Sequence, residues 1–115
     1  MQYDAELECY VVEIKNIVFV NEEEQTADYI NMLSTITDNY YNNLNQIIEF
    51  MLPELKAVYG VDDTATIKEK LGKPIIDYDN GIVKYLEQSF DDIHIFSFEF
   101  FDDGFKEKDY FSIDG

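Results

Sequence analysis

The hydrophobic period of this chain changes twice, and that constrains its fold more than any other feature. From Leu7 to Val20 (LECYVVEIKNIVFV), β-branched and aromatic residues fill both parities. Tyr10, Val12, Ile14, Val18 and Val20 share one, and Leu7, Cys9, Val11, Ile17 and Phe19 share the other. This reads as strand, either one long run or a hairpin turning near Lys15-Asn16. Lys-Asn lacks the glycine that marks a two-residue turn, so both forms stay open. From Ala27 to Tyr59 the steps become threes and fours. Ile30, Leu33, Tyr40, Leu44, Ile47, Met51, Leu55 and Val58 then share a helical face. Glu22-Glu23-Glu24 lead into this stretch, where early carboxylates favour the positive end of the helix dipole. A break is expected near Thr37-Asp38-Asn39, which offers an N-cap for a second helix. Pro53 should kink or end that helix, or open a further turn at its first position. Gly60 is the expected C-cap. Asp63 or Thr64 should cap a short helix over 65–71, closed by Gly72.

Beyond residue 75 the alternation returns. The runs 75–79 and 82–86 flank Asn80-Gly81, the strongest short-range hairpin signal. A two-residue loop there sets Tyr78 opposite Val83, Ile76 opposite Tyr85, and Asp77 opposite Lys84 as a cross-strand charge pair. Phe96, Phe98 and Phe100 alternate onto one face of the next run, and Asp102-Asp103-Gly104 turns the chain into a strand at 110–113. A two-residue Asp103-Gly104 loop would place Phe96 beside Phe111 and Glu99 beside Lys108. The order is β, α, α, short α, then four strands. This predicts an α+β fold over residues 1–115, a largely antiparallel β-sheet packed against helices from the N-terminal half.

Composition bears on what such a domain is for. Twenty-five Asp and Glu against eight Lys and Arg give a formal charge of −17. Solubility in a small domain is met by a magnitude of roughly 2–8, and the excess repels itself. Aromatics at 16% argue for a real core rather than a disordered acidic chain. The field should repel nucleic-acid phosphates and anionic membranes and attract basic proteins within a Debye length, roughly 8 Å at physiological salt. Neither direct nucleic-acid binding nor membrane binding is expected. Cys9 is the only cysteine, so no internal disulfide is possible, and its apolar run makes it a buried thiol. The N-terminal MQYDAELE lacks the basic and apolar regions of a signal peptide, and no apolar run approaches the roughly 20 residues needed to span a bilayer. The expected location is the cytoplasm.

Catalytic signatures are missing. His94, the only histidine, shares a face with Phe96 and Phe98 and reads as a structural residue. Asp91, Asp92 and His94 could form a carboxylate–imidazole cluster, with Asp92 and His94 on one side of a strand, but no second ligand set accompanies them. Asp77-Tyr78-Asp79-Asn80-Gly81 misses calcium-loop spacing, because its glycine comes one position early and Gln88 holds the closing carboxylate position. With no nucleophile motif, phosphate loop or paired-cysteine motif, the chain reads as a non-enzyme without a cofactor or a dedicated metal. What remains is surface. Acidic clusters stand at Glu22 and Glu23 (with Glu24), at Asp62 and Asp63, at Asp91 and Asp92, and at Asp102 and Asp103. Each alone also reads as a solvated loop or cap, while their sum points to a basic protein partner. Dispersed tyrosines suit such an interface.

The stretch Leu71–Gly115 resembles the tail of small bacterial immunity proteins of polymorphic toxin systems. The resemblance rests on Gly72-Lys73-Pro74, the Asn80-Gly81 hairpin, Phe90-Asp91-Asp92-Ile93-His94-Ile95, and the closing Ser112-Ile113-Asp114-Gly115. It implies a cytoplasmic protein made beside a toxin and neutralising it by binding; many such toxins are nucleases with basic clefts. Asp91, Asp92, Asp102 and Asp103 are then the first partner-facing candidates. Two alternatives accompany this expectation: a nucleic-acid mimic that blocks a defence nuclease, and a structural or regulatory homo-oligomer whose apolar helix face pairs with a copy of itself.

Overall fold

In the computed structural model, which describes Met1–Gly115, the Leu7–Val20 run is a hairpin. Strands β2 (Cys9–Ile14) and β3 (Ile17–Asn21) are joined by Lys15 and Asn16, both at positive φ (47° and 65°). Two left-handed residues match the twist of the strands they join, and the Tyr41 hydroxyl bonds the Lys15 carbonyl. The turn inverts parity, so Val12 and Ile14 share the covered face with Ile17 and Phe19. A short strand not foreseen in the sequence, β1 (Gln2–Asp4), pairs with β2.

Helices α1 (Ala27–Asn42), α2 (Leu44–Tyr59) and α3 (Thr64–Leu71) follow. The break expected near Thr37-Asp38-Asn39 lies at Asn43 instead. Thr37 is buried and its hydroxyl donates to the Leu33 carbonyl (2.9 Å), which keeps it inside the helix. Asn43 ends α1 with its backbone N–H on the Asn39 and Tyr40 carbonyls and its side-chain amide on Asn39. Pro53 neither ends nor opens a helix; α2 runs through it. Pro53 and Glu49 are both exposed, so the carbonyl that loses its donor lies on the solvent side, while buried Met51 and Leu55 anchor both halves. Gly60 caps α2 in the left-handed conformation (φ 71°), and Asp63 caps α3. Glu22–Glu24 stand ahead of the Thr26 cap, and Asp28 is the carboxylate of the first turn of α1. Val58 is 57% exposed, whereas Ile36 and Ile48 complete the buried stripe.

Four strands close the chain: β4 (Pro74–Asp77), β5 (Ile82–Tyr85), β6 (Ile95–Phe100) and β7 (Lys108–Asp114). The sheet has seven strands in sequence order; only β3 and β4, bridged by the helices, run parallel. Both C-terminal registers differ from the two-residue-loop expectation. Ile76 faces Val83 and Asp77 faces Ile82, leaving Tyr78–Gly81 as a four-residue loop, so Lys84 lies beside Ile75 rather than Asp77. Asp77 Oδ1 accepts the Asn80 N–H (3.1 Å) and Gly81 takes φ 66°, which favours the longer turn. The slip is two residues, so every side chain keeps its expected face. Phe96 faces Ile113 and Glu99 faces Asp109, because the β6–β7 connection (101–107) is long and a bulge at Tyr110 (φ 58°) shifts the ladder. That connection inserts Phe105 into the core, with its ring centroid 4.7 Å from that of Phe100 and 5.7 Å from that of Tyr40.

All three helices lie on one sheet face. Val83, Tyr85, Phe96 and Phe98 meet Leu33, Ile47, Met51 and Leu55 there. At the rough rate of 25 cal/mol per Å², each large side chain buried in this layer contributes about 1.5–3 kcal/mol. Val18, Val20, Ile75 and Ile82 point to the opposite face, which no element covers. No helix is long and apolar enough to cross a membrane.

Candidate functional site: an acidic sheet end

Strand direction sorts the loops into two ends. The β1–β2 loop, the segment after β3, the β4–β5 loop and the β6–β7 loop all leave at one end. Glu22, Glu23, Asp102 and Asp103, expected in the sequence as separate clusters, meet here around the β4–β5 loop. Glu22 and Glu23 line a cleft of about 300 Å³ together with Asn21, Gln25, Asp77, Asp79 and Asn80. Asp102 and Asp103 line a wider one of about 470 Å³ with Tyr78, Asp79, Gly81, Phe100 and Phe101. Asp79 and Asn80 belong to both clefts.

Neutral donors fix Asp79, Asp102 and Asp103 at this end. Asp79 accepts the Tyr29 hydroxyl (2.9 Å) and the Asn21 amide (2.8 Å), and Asp103 accepts the Tyr78 hydroxyl (2.9 Å). Asp102 takes the backbone N–H groups of Gly104 and Glu107. Burial and then the Asp79 bond push the Tyr29 hydroxyl up to about 12. Tyr78 is raised first by its bond to Asp103. Both phenols therefore stay protonated donors at neutral pH. The ion pairs of the protein, Lys15–Asp38, Lys73–Glu13 and His94–Asp91, all lie elsewhere. Lys108 is turned to the Phe105 carbonyl (2.8 Å) and the Phe50 ring. The result is a set of carboxylates that form no ion pair with a cation of the chain, although Lys106 stands on the same loop as Asp102. Such a surface can accept ammonium or guanidinium groups from outside.

The remaining expected residues stand apart from this end. Asp63 caps α3, taking the Thr66 N–H (2.7 Å) and hydroxyl (2.8 Å), and Asp62 is exposed beside it. Asp91 and Asp92 lie on the β5–β6 connection. The Asp91 carboxylate is the hub of that loop, accepting Tyr59 (2.5 Å), Gln88 (3.0 Å), the N–H groups of Ile93 and His94, and His94 Nδ1 (2.6 Å). Its partner is therefore inside the protein, and Asp92 is the exposed member of the pair. It is Asp91, not Asp92, that meets His94. No three His, Cys, Asp or Glu side chains gather as a metal would require.

Sequence reasoning missed Asn21 and Asp79 as parts of the acidic end, while Tyr29 and Tyr78 are among the tyrosines that suit an interface. Asp79 was legible as a hairpin-tip carboxylate. Its partners come from β3 and α1, brought alongside only by the parallel β3–β4 pairing. A comparison with protein-family models, with curated proteins and with solved structures finds no match.

Proposed function

We propose that this chain is a non-enzymatic cytoplasmic binding protein that neutralises a basic protein partner, acting as an immunity protein against a cognate toxin domain. The observation that carries the reading is the acidic end: carboxylates from separate loops, held by tyrosine and asparagine donors and in no ion pair with the chain's own cations. Preorganised charge of one sign accelerates encounter with an oppositely charged cleft, and the ordering cost of its side chains is already met in the free protein. The resemblance of Leu71–Gly115 to immunity proteins points the same way. A nuclease domain, with a basic phosphate-binding cleft, is the favoured toxin class.

The test is capture of partners by the tagged chain from its source cell, in low and in high salt, with identification by mass spectrometry. One stoichiometric basic protein, released at high salt, is the expected result. Recovery of copies of the chain alone would replace this reading with a homo-oligomer. With the partner in hand, Asp102→Asn/Asp103→Asn should slow association by roughly tenfold at low salt, a larger effect than its effect on stability. Unaltered association kinetics would remove the acidic end from the interface.

A further inference from the structure

The sheet face opposite the helices is built like a second half of an interface. Each inner strand contributes aliphatic side chains to it, and a cleft of about 330 Å³ is lined by Leu7, Val20, Ile75, Ile82, Leu86 and Ile95, among others. Leu7, Leu86 and Ile95 are 37%, 40% and 43% exposed, so the floor opens to solvent at its margins. Contiguous apolar surface on a soluble protein is an interaction site more often than a neutral feature.

Charge on the same face says what covers it. Asp4 and Asp77 flank the cleft, and both add to burial in pushing the Cys9 thiol up. Glu99 stands directly opposite Asp109 across β6 and β7, a like-charge pair that costs stability unless a cation sits between. Glu13 is the one carboxylate here in an ion pair, with Lys73 at 2.8 Å, while Asp4 and Asp77 hold only neutral donors of their own turns. Lys84 is the only cation on the cleft wall. An apolar floor with acidic sides fits aliphatic side chains flanked by Lys or Arg. It does not fit a second copy, because a symmetric pairing would set each acidic side against its own kind in a chain of charge −17.

Size links this face to the acidic end. Seven strands about 4.8 Å apart span roughly 29 Å, and five residues of strand cover about 17 Å, or roughly 500 Å² in projection. A stable complex buries about 800 Å² per partner, so the contact must continue past the face. Asp77 lines both this cleft and the Glu22–Glu23 cleft, which makes the two surfaces continuous.

We infer that the helix-free face docks an amphipathic basic segment of the partner, its aliphatic side chains seated over Ile75, Ile82 and Ile95 and its Lys or Arg groups reaching Asp4, Asp77 and the Glu99–Asp109 pair. The inference rests on the acidic-binder reading and adds the apolar anchor that sets release, where charge sets encounter.

The test titrates the isotope-labelled chain at physiological salt with two probes, an 18-residue amphipathic Leu/Lys peptide and an oligolysine of equal charge. The Leu/Lys peptide should bind about tenfold tighter or more and shift the methyl signals of Ile75, Ile82 and Ile95. Leu86→Ser/Ile95→Ser should abolish that advantage and leave the oligolysine affinity unchanged. The methyl map of the unsubstituted chain decides the matter if the variant does not fold. Equal affinities, or shifts confined to the acidic loops, would overturn this docking face and leave the acidic-binder reading standing. No binding of either probe would overturn both. A dimer in sedimentation equilibrium that Leu86→Ser/Ile95→Ser dissociates would make a second copy the occupant and overturn the inference.

Discussion

Tyr40 and Tyr85 illustrate how the interior tolerates polarity. Both rings are buried, and their hydroxyls lie 2.6 Å apart, each satisfying the other. Burial pushes both phenols well above the ordinary tyrosine range, so each stays neutral. Tyr40→Phe should cost about 1–3 kcal/mol, because it strands the Tyr85 hydroxyl; adding Tyr85→Phe should recover much of that loss. Urea denaturation of the two variants measures both, and equal losses would dissolve the pair. Asp91 is the acidic counterpart. The Tyr59 hydroxyl holds its carboxyl well below the usual carboxylate range, burial works against that, and Gln88 and His94 add to it. A depressed folded-state pKa stabilises the fold fully above the unfolded value of about 3.9, and this contribution is lost as pH falls from there. Below about pH 4, the Tm of Asp91→Asn should therefore fall less steeply than that of the unsubstituted protein. Parallel slopes would separate Asp91 from the acid sensitivity of the fold.

At the scale of the element, turns decided what periodicity left open. Adding a side chain at Gly81 tests the β4–β5 loop, because its φ is 66° and a Cβ would meet the Phe100 carbonyl oxygen at 2.7 Å. Gly81→Val should lose about 2 kcal/mol or more, from left-handed backbone cost plus this contact, read as a lower urea midpoint. An unchanged midpoint would refute the turn. The Asn-Gly signal located the hairpin correctly, and face assignment survived because parity is indifferent to a two-residue slip. Loop length was illegible, since it depends on the Asp77 side chain bonding forward and on Phe100 donating to the Gly81 carbonyl. The helix break was misplaced because Thr37 looks like a cap in sequence. Only burial, with the Leu33 carbonyl as acceptor, makes it an interior residue. The acidic end was half legible: the clusters could be named, but loops distant in sequence met through strand direction alone.

For the whole molecule, the element order expected from the two changes of period is the order found, and the sheet follows the chain from edge to edge. One joint interrupts this plan. The parallel pairing of β3 with β4 holds only Val18 with Ile75 and Phe19 with Ile76, and it joins the N-terminal strands to the C-terminal four. Locally paired hairpins lie on either side of a joint with only two ladder pairs, and this predicts that the sheet opens as two units. Native-state hydrogen exchange in increasing urea should give β2–β3 amides a different opening free energy from β5–β6 amides; one shared value would mean a single unit. The Asn21–Asp79 hydrogen bond spans this seam at the acidic end. A partner seated across Glu22, Asp79 and Asp102, as proposed, would grip both sides of the seam at once. Occupancy of the proposed site would then be a mechanical splice: the bound sheet is predicted to open as one body where the free sheet opens as two.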